Sequence, residues 1–134
     1  MAEEIVVKEP LSQEMIEAGK ELTQRLDNLG IDITAAFWFY VVDASEWRLV
    51  FASPKVDTDG QRAVYTDIQD ALSKDPEKVP GLSMRNITVL RPNDPIIRVL
   101  LKVFPTQKTI NGIRATRNRF NNVFIEDAYI YRMT

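Results

Sequence analysis

Apolar residues recur at helical spacing near the start of the chain: Met15, Gly19, Leu22, Leu26 and Leu29 stand four and three residues apart and share one helix face. Ser12 can cap this helix, Leu11 can staple onto Ile16, and Gly30 supplies a left-handed stop. Glu14, Glu17, Glu21, Gln24 and Arg25 occupy the outer face, where solvated charge is the ordinary state. Across residues 33–42 the pattern changes. Phe37, Phe39 and Val41 alternate with Trp38, Tyr40 and Val42, so both faces of this strand are apolar and both need cover, which predicts a central position. A turn over Asp43–Glu46 leads into a second strand, WRLVFAS, and the two predict an antiparallel hairpin.

Residues 55–60, KVDTDG, read as a loop in which Thr58 or Asp59 caps a second helix with the apolar stripe Val64, Ile68, Ala71 and Leu72. After the connector DPEKVPGLS comes the strand MRNITVL, which Pro92 ends. Asp94 and Pro95 then form a cap and a first helical position, and Ile96, Ile97, Leu100, Leu101 and Phe104 make the buried face of a third helix that stops at Pro105. Last come a strand from about Gly112 to Thr116, a polar loop over 117–122 and the strand VFIEDAYIYR. The order α-β-β-α-β-α-β-β predicts an α+β domain with three helices and one mixed sheet of about five strands.

The final strand raises a chemical question, because Glu126 and Asp127 stand side by side in an apolar pattern. Strict alternation sends Val123, Ile125, Asp127, Tyr129 and Tyr131 to one face and Phe124, Glu126, Ala128, Ile130 and Arg132 to the other. Each face then holds one acid among apolar neighbours, where a lone charge is costly. With 117–122 as a loop, Thr116 pairs with Val123 and Arg114 with Ile125, which sets Arg114 diagonal to Asp127; a slip of one residue sets it toward Glu126 instead. Glu126 and Asp127 are therefore read as structural acids, one neutralised by Arg114 of the neighbouring strand and the other lying near an edge or beneath a polar cover. The catalytic alternative joins one of them to Asp43, Asp57 or Asp59 to hold magnesium for phosphoester cleavage.

The residues before this strand suggest binding. Arg117, Arg119, Asn121 and Asn122, with Arg114, Tyr129 and Arg132 beside them, combine guanidinium, amide and aromatic groups suited to an anionic or stacked partner. Asparagine in such a turn is also favoured for its tolerance of left-handed backbone.

Composition narrows the chemistry. The 134 residues include no cysteine and no histidine, which excludes thiol nucleophiles, zinc ribbons, Ser-His-Asp relays and imidazole acid–base catalysis. No P-loop or dinucleotide fingerprint occurs, and Asp57-Thr58-Asp59-Gly60 lacks the closing glutamate of a calcium loop because position 68 is Ile. No metal and no cofactor is expected. A length of 134 residues, with 45% apolar and 27% charged residues, predicts one globular domain spanning 1–134, residues 1–10 forming a flexible lead-in. No run is long enough to span a membrane, and the acidic start MAEEIVVKEP is unlike a secretory signal, so a cytoplasmic protein without membrane partners is expected. The net charge of −2 hides a gradient. Eight acids stand against Lys8, Lys20 and Arg25 in residues 1–32, whereas Arg114, Arg117, Arg119 and Arg132 outnumber Glu126 and Asp127 in residues 111–134.

The segments NGIR and VFIEDAYIYR, together with EWRLVFASP, resemble a family of small bacterial α+β proteins of unknown function. The resemblance covers most of the chain and implies no activity. The reading that these features support is a non-catalytic interaction or regulatory module that uses the Arg/Asn loop and the acidic first helix as contact surfaces. Its expected partner is another protein or a second copy of the chain, with nucleic acid as a further candidate. The alternatives are the carboxylate and metal-dependent phosphodiesterase and a small-ligand binder.

Overall fold

Five strands, β1 (Ala35–Val41), β2 (Glu46–Ala52), β3 (Ile87–Leu90), β4 (Ile113–Phe120) and β5 (Val123–Met133), form one sheet in the order β3-β2-β1-β5-β4. They are seen in a computed structural model that describes residues 8–120 and 122–134. β1 is central, as its two apolar faces require. It pairs antiparallel with β2 and β5, β4 pairs antiparallel with β5, and β3 lies parallel to β2, which makes the sheet mixed. Three long helices accompany it: α1 (Gln13–Asn28), α3 (Gln61–Ser73) and α4 (Pro95–Val103). The α+β class and the order of these elements are those expected.

A fourth, short helix was not expected: α2 (Lys55–Asp59) occupies the stretch read as a loop. The Ser53 carbonyl accepts from the Val56 N–H at 3.1 Å, and the Ser53 hydroxyl accepts from the Lys55 N–H at 3.2 Å, so the chain turns immediately after β2. Gly60, at φ 90°, then leaves the helical region and separates α2 from α3. Gly60 is also the N-cap residue of α3, and neither Thr58 nor Asp59 caps it. The other two predicted caps have the anticipated geometry. The Ser12 hydroxyl accepts from Met15 N–H at 3.1 Å, and the Asp94 carboxylate accepts from Ile96 N–H at 3.1 Å.

Helices cover both faces of the sheet. On one face Ala18, Leu22 and Leu26 of α1, Val56 of α2, and Val64 and Ile68 of α3 pack with Ala36, Trp38, Leu49, Phe51 and Tyr131. On the other, Ile97 and Leu100 of α4 pack with Phe37, Val50, Ala128, Ile130 and Met133. The alternation of β1 is thus divided between two cores, and each fully buried Leu, Ile or Phe contributes about 1.5–3 kcal/mol. Leu29 and Leu101, read as buried, are exposed: α1 ends one residue before Leu29, and the short α4 turns Leu101 away from the sheet. Arg25, read as a solvated residue, is half-buried and caps the end of α3. Its guanidinium donates to the carbonyls of Ala71, Lys74 and Asp75, a favourable cation at a helix C-terminus. Among the described residues no helix is long and apolar enough to cross a membrane.

Candidate functional site

The β4–β5 hairpin carries most of the residues singled out by the sequence, and its register differs from the expected one. Arg114 stands opposite Tyr129, Thr116 opposite Asp127, Asn118 opposite Ile125 and Phe120 opposite Val123. The polar stretch read as a loop is therefore mostly strand, with β4 running to Phe120 and β5 starting at Val123. Asn122 takes the left-handed backbone there, at φ 69°, while Asn121 lies outside the described residues. A polar run was mistaken for a loop because β4 is an edge strand, and an edge strand meets water along much of its length. The observed partner of Arg114 is four residues from the expected one. Four is an even shift, so Arg114 keeps its face and remains diagonal to Asp127.

A second correction concerns the two acids. Val123, Ile125, Ala128 and Ile130 all pack on the α4 side of the sheet, although Ile125 and Ala128 are three residues apart. On β4 the same parity change separates Ala115 from Phe120, with Arg117 between them at φ 47°. Glu126 and Asp127 consequently do not take opposite faces; both turn toward Lys8, whose Nζ lies 2.9 Å from Asp127 Oδ2 and 3.9 Å from Glu126 Oε1.

Asp127 is 2% exposed and fully engaged. Arg114 grips it with two parallel hydrogen bonds, Nε to Oδ1 at 2.6 Å and Nη2 to Oδ2 at 2.7 Å, and Lys8 adds the third. Burial alone would push this carboxyl up, but the hydrogen bonds from Arg114 and Lys8 outweigh it and hold Asp127 below the usual carboxylate range. The same pair raises the Arg114 guanidinium above its ordinary value. Aromatic rings complete the setting. Arg114 lies over the Trp47 ring at 5.8 Å, Lys8 over Tyr40 at 5.7 Å, and Tyr40 meets Trp47 edge to face. The Trp47 indole donates to the Glu9 carbonyl at 2.7 Å, so Lys8 and Glu9 are both tied to the sheet. Lys8, Tyr40 and Trp47 were missed as members of this cluster. The only signal for them was an unpaired acid in an apolar strand, which says that a cation must come but not from where.

The remaining candidates divide. Arg117 is 81% exposed, with its Nε 3.9 Å from Glu126, too far for a hydrogen bond. Arg119 is exposed, has no ion-pair partner among the described residues, and lies 5.7 Å over the ring of Phe124, itself 43% exposed. Asn122 is exposed at the turn. Tyr129 is half-buried against Tyr131. Arg132 lies apart from the hairpin tip, 3% exposed: both of its Nη atoms bind the Asp27 carboxylate, at 2.9 and 2.8 Å, and Nη1 also donates to the Ile33 carbonyl.

The hairpin thus holds one closed ion cluster and two arginines directed at solvent. Among the described residues no three acids converge as a metal site, and Asp127 is already committed to cations. A concavity of about 560 Å³ lies elsewhere, between the end of α1, the short helix α2 and the middle and C-terminal end of α3. Within it Lys55 and Asp67 pair at 2.6 Å. No family model, curated protein or solved structure matches the chain.

Proposed function

We propose that this protein is a non-catalytic interaction module whose β4–β5 hairpin is the contact surface for an acidic partner protein. The observation that carries the reading is the division of labour among three arginines on one strand. Arg114 is bound to Asp127, whereas Arg117 and Arg119 extend from the same strand into solvent, Arg117 with no carboxylate nearer than Glu126 at 3.9 Å and Arg119 with no ion-pair partner among the described residues. A guanidinium in that state is weakly hydrated, offers a planar fork of donors, and favours carboxylates. The exposed Phe124 ring under Arg119 adds apolar contact area at the same place. The exposed acids Glu14 and Glu17 on α1 give the module a second contact surface of opposite sign.

Retention on immobilised polyglutamate across a salt series tests the reading. The wild-type chain should elute at clearly higher salt than the Arg117→Ala/Arg119→Ala double variant, with both proteins melting at the same temperature. Equal elution would overturn it.

A further inference from the structure

A sheet has two edges, and this one treats them differently. At β3 the outward backbone is capped by side chains of α3: the Val89 N–H donates to the Tyr65 hydroxyl at 3.0 Å, and the Val89 carbonyl accepts from the Gln61 side-chain amide. One short edge strand of four residues is thus closed by its own helix. At the other edge β4 is twice as long, and among the described residues no group outside β5 hydrogen-bonds to its backbone. Every second residue of such a strand presents its N–H and C=O outward, a ready template for another chain.

β4 is defended against self-pairing by charge and shape. Two copies of β4 side by side would bring Arg114, Arg117 and Arg119 against like charges, which is destabilising in a ladder. The left-handed backbone of Arg117 interrupts the flat edge on which uncontrolled pairing depends. The charge does not repel an extended strand that carries carboxylates, and such a strand can pair on either side of Arg117 with each exposed arginine facing an acid on it.

We propose that the free edge of β4 accepts an extended acidic segment of a partner protein as a sixth strand. The inference rests on reading the hairpin as a surface for an acidic partner, and adds how that partner binds. Main-chain hydrogen bonds to β4 supply affinity, while Arg117 and Arg119 select acidic side chains. A nucleic acid fits the charge but not the edge, because its phosphates accept from N–H groups and offer no regular donors to the outward carbonyls of β4.

The test uses the full chain and a capped peptide of about ten residues alternating glutamate and valine, followed by amide-resolved hydrogen exchange. Binding should slow exchange by about tenfold at alternate amides within Ile113–Phe120 and leave β3 amides unchanged. An analogue methylated on alternate backbone nitrogens should bind about tenfold more weakly. Equal binding of the methylated peptide overturns strand addition yet leaves the acidic contact surface standing. Binding that is indifferent to Arg117→Ala/Arg119→Ala overturns both. Tighter binding of a single-stranded oligonucleotide at the same amides overturns the choice of an acidic peptide.

Discussion

The Tyr131 hydroxyl occupies the space that a Cβ on Gly19 would fill, 2.3 Å from where that atom would stand. The hydroxyl donates to the Ile16 carbonyl at 2.6 Å and accepts from the Trp38 indole at 3.0 Å, so β5, β1 and α1 meet at one point. Glycine in mid-helix costs about 1 kcal/mol relative to alanine, and here it permits that close approach.

Gly19→Ala should therefore destabilise the protein in spite of its better helix propensity, by about 1–3 kcal/mol. Tyr131→Phe removes the obstructing oxygen, so the double variant should lose less stability than the sum of the two single ones. Urea unfolding of the four proteins measures this. Strict additivity would show that the close approach is not what glycine serves.

Asp127→Asn should lower stability by about 2 kcal/mol, since it weakens a bidentate pair around a buried carboxylate while leaving Arg114 able to reach water. Glu14→Gln, at an exposed position, should stay within about 0.5 kcal/mol of the parent. Equal urea midpoints for the two variants would contradict the burial of Asp127.

The same carboxylate gives an acid limb to the stability curve. Asp127 is held below its ordinary range in the folded state, so the unfolded chain takes up its proton more readily. Its contribution is complete above the unfolded pKa, near 3.9, and disappears as pH falls through the lower folded value. The stability difference between wild type and Asp127→Asn should thus be constant from neutral pH to about pH 5 and shrink below about pH 4. Urea unfolding at a series of pH values checks it; a gap that stays constant into strong acid would count against the assignment.

Arg132 and Arg119, both candidate binding residues, should respond oppositely to substitution. Arg132→Lys cannot keep both bonds to Asp27 and the bond to the Ile33 carbonyl, and should cost about 2 kcal/mol. Arg119→Ala should change stability by less than about 0.5 kcal/mol while weakening retention on polyglutamate. Thermal melts alongside the column assay separate the two roles.

Much of the fold was legible because it rests on local rules. The caps at Ser12 and Asp94, the two-faced run through Phe37 to Val41 and the period of Leu22 and Leu26 each bind a few neighbouring residues to one backbone state. The face shared by Arg114 and Asp127 was legible for a different reason. The assumed pairing was displaced by four residues, and an even displacement leaves Arg114 on the side of the pleat that Asp127 occupies.

By itself, the sequence determined the three long helices and five strands, their order, the mixed sheet and the need for a cation near the acids of β5. Tertiary structure alone decided that Lys8 would share in supplying it, that Tyr40 and Trp47 would frame it, and that Glu126 and Asp127 would turn to the same side. It also decided which edge of the sheet would be closed by Gln61 and Tyr65 and which would stay open. Periodicity constrains residues one or two turns apart, whereas Lys8 and Asp127 are separated by 119 positions and meet only because β1 and β5 pair beneath the entry to α1. Contacts of that range depend on the packing of the whole chain, and no local pattern encodes them.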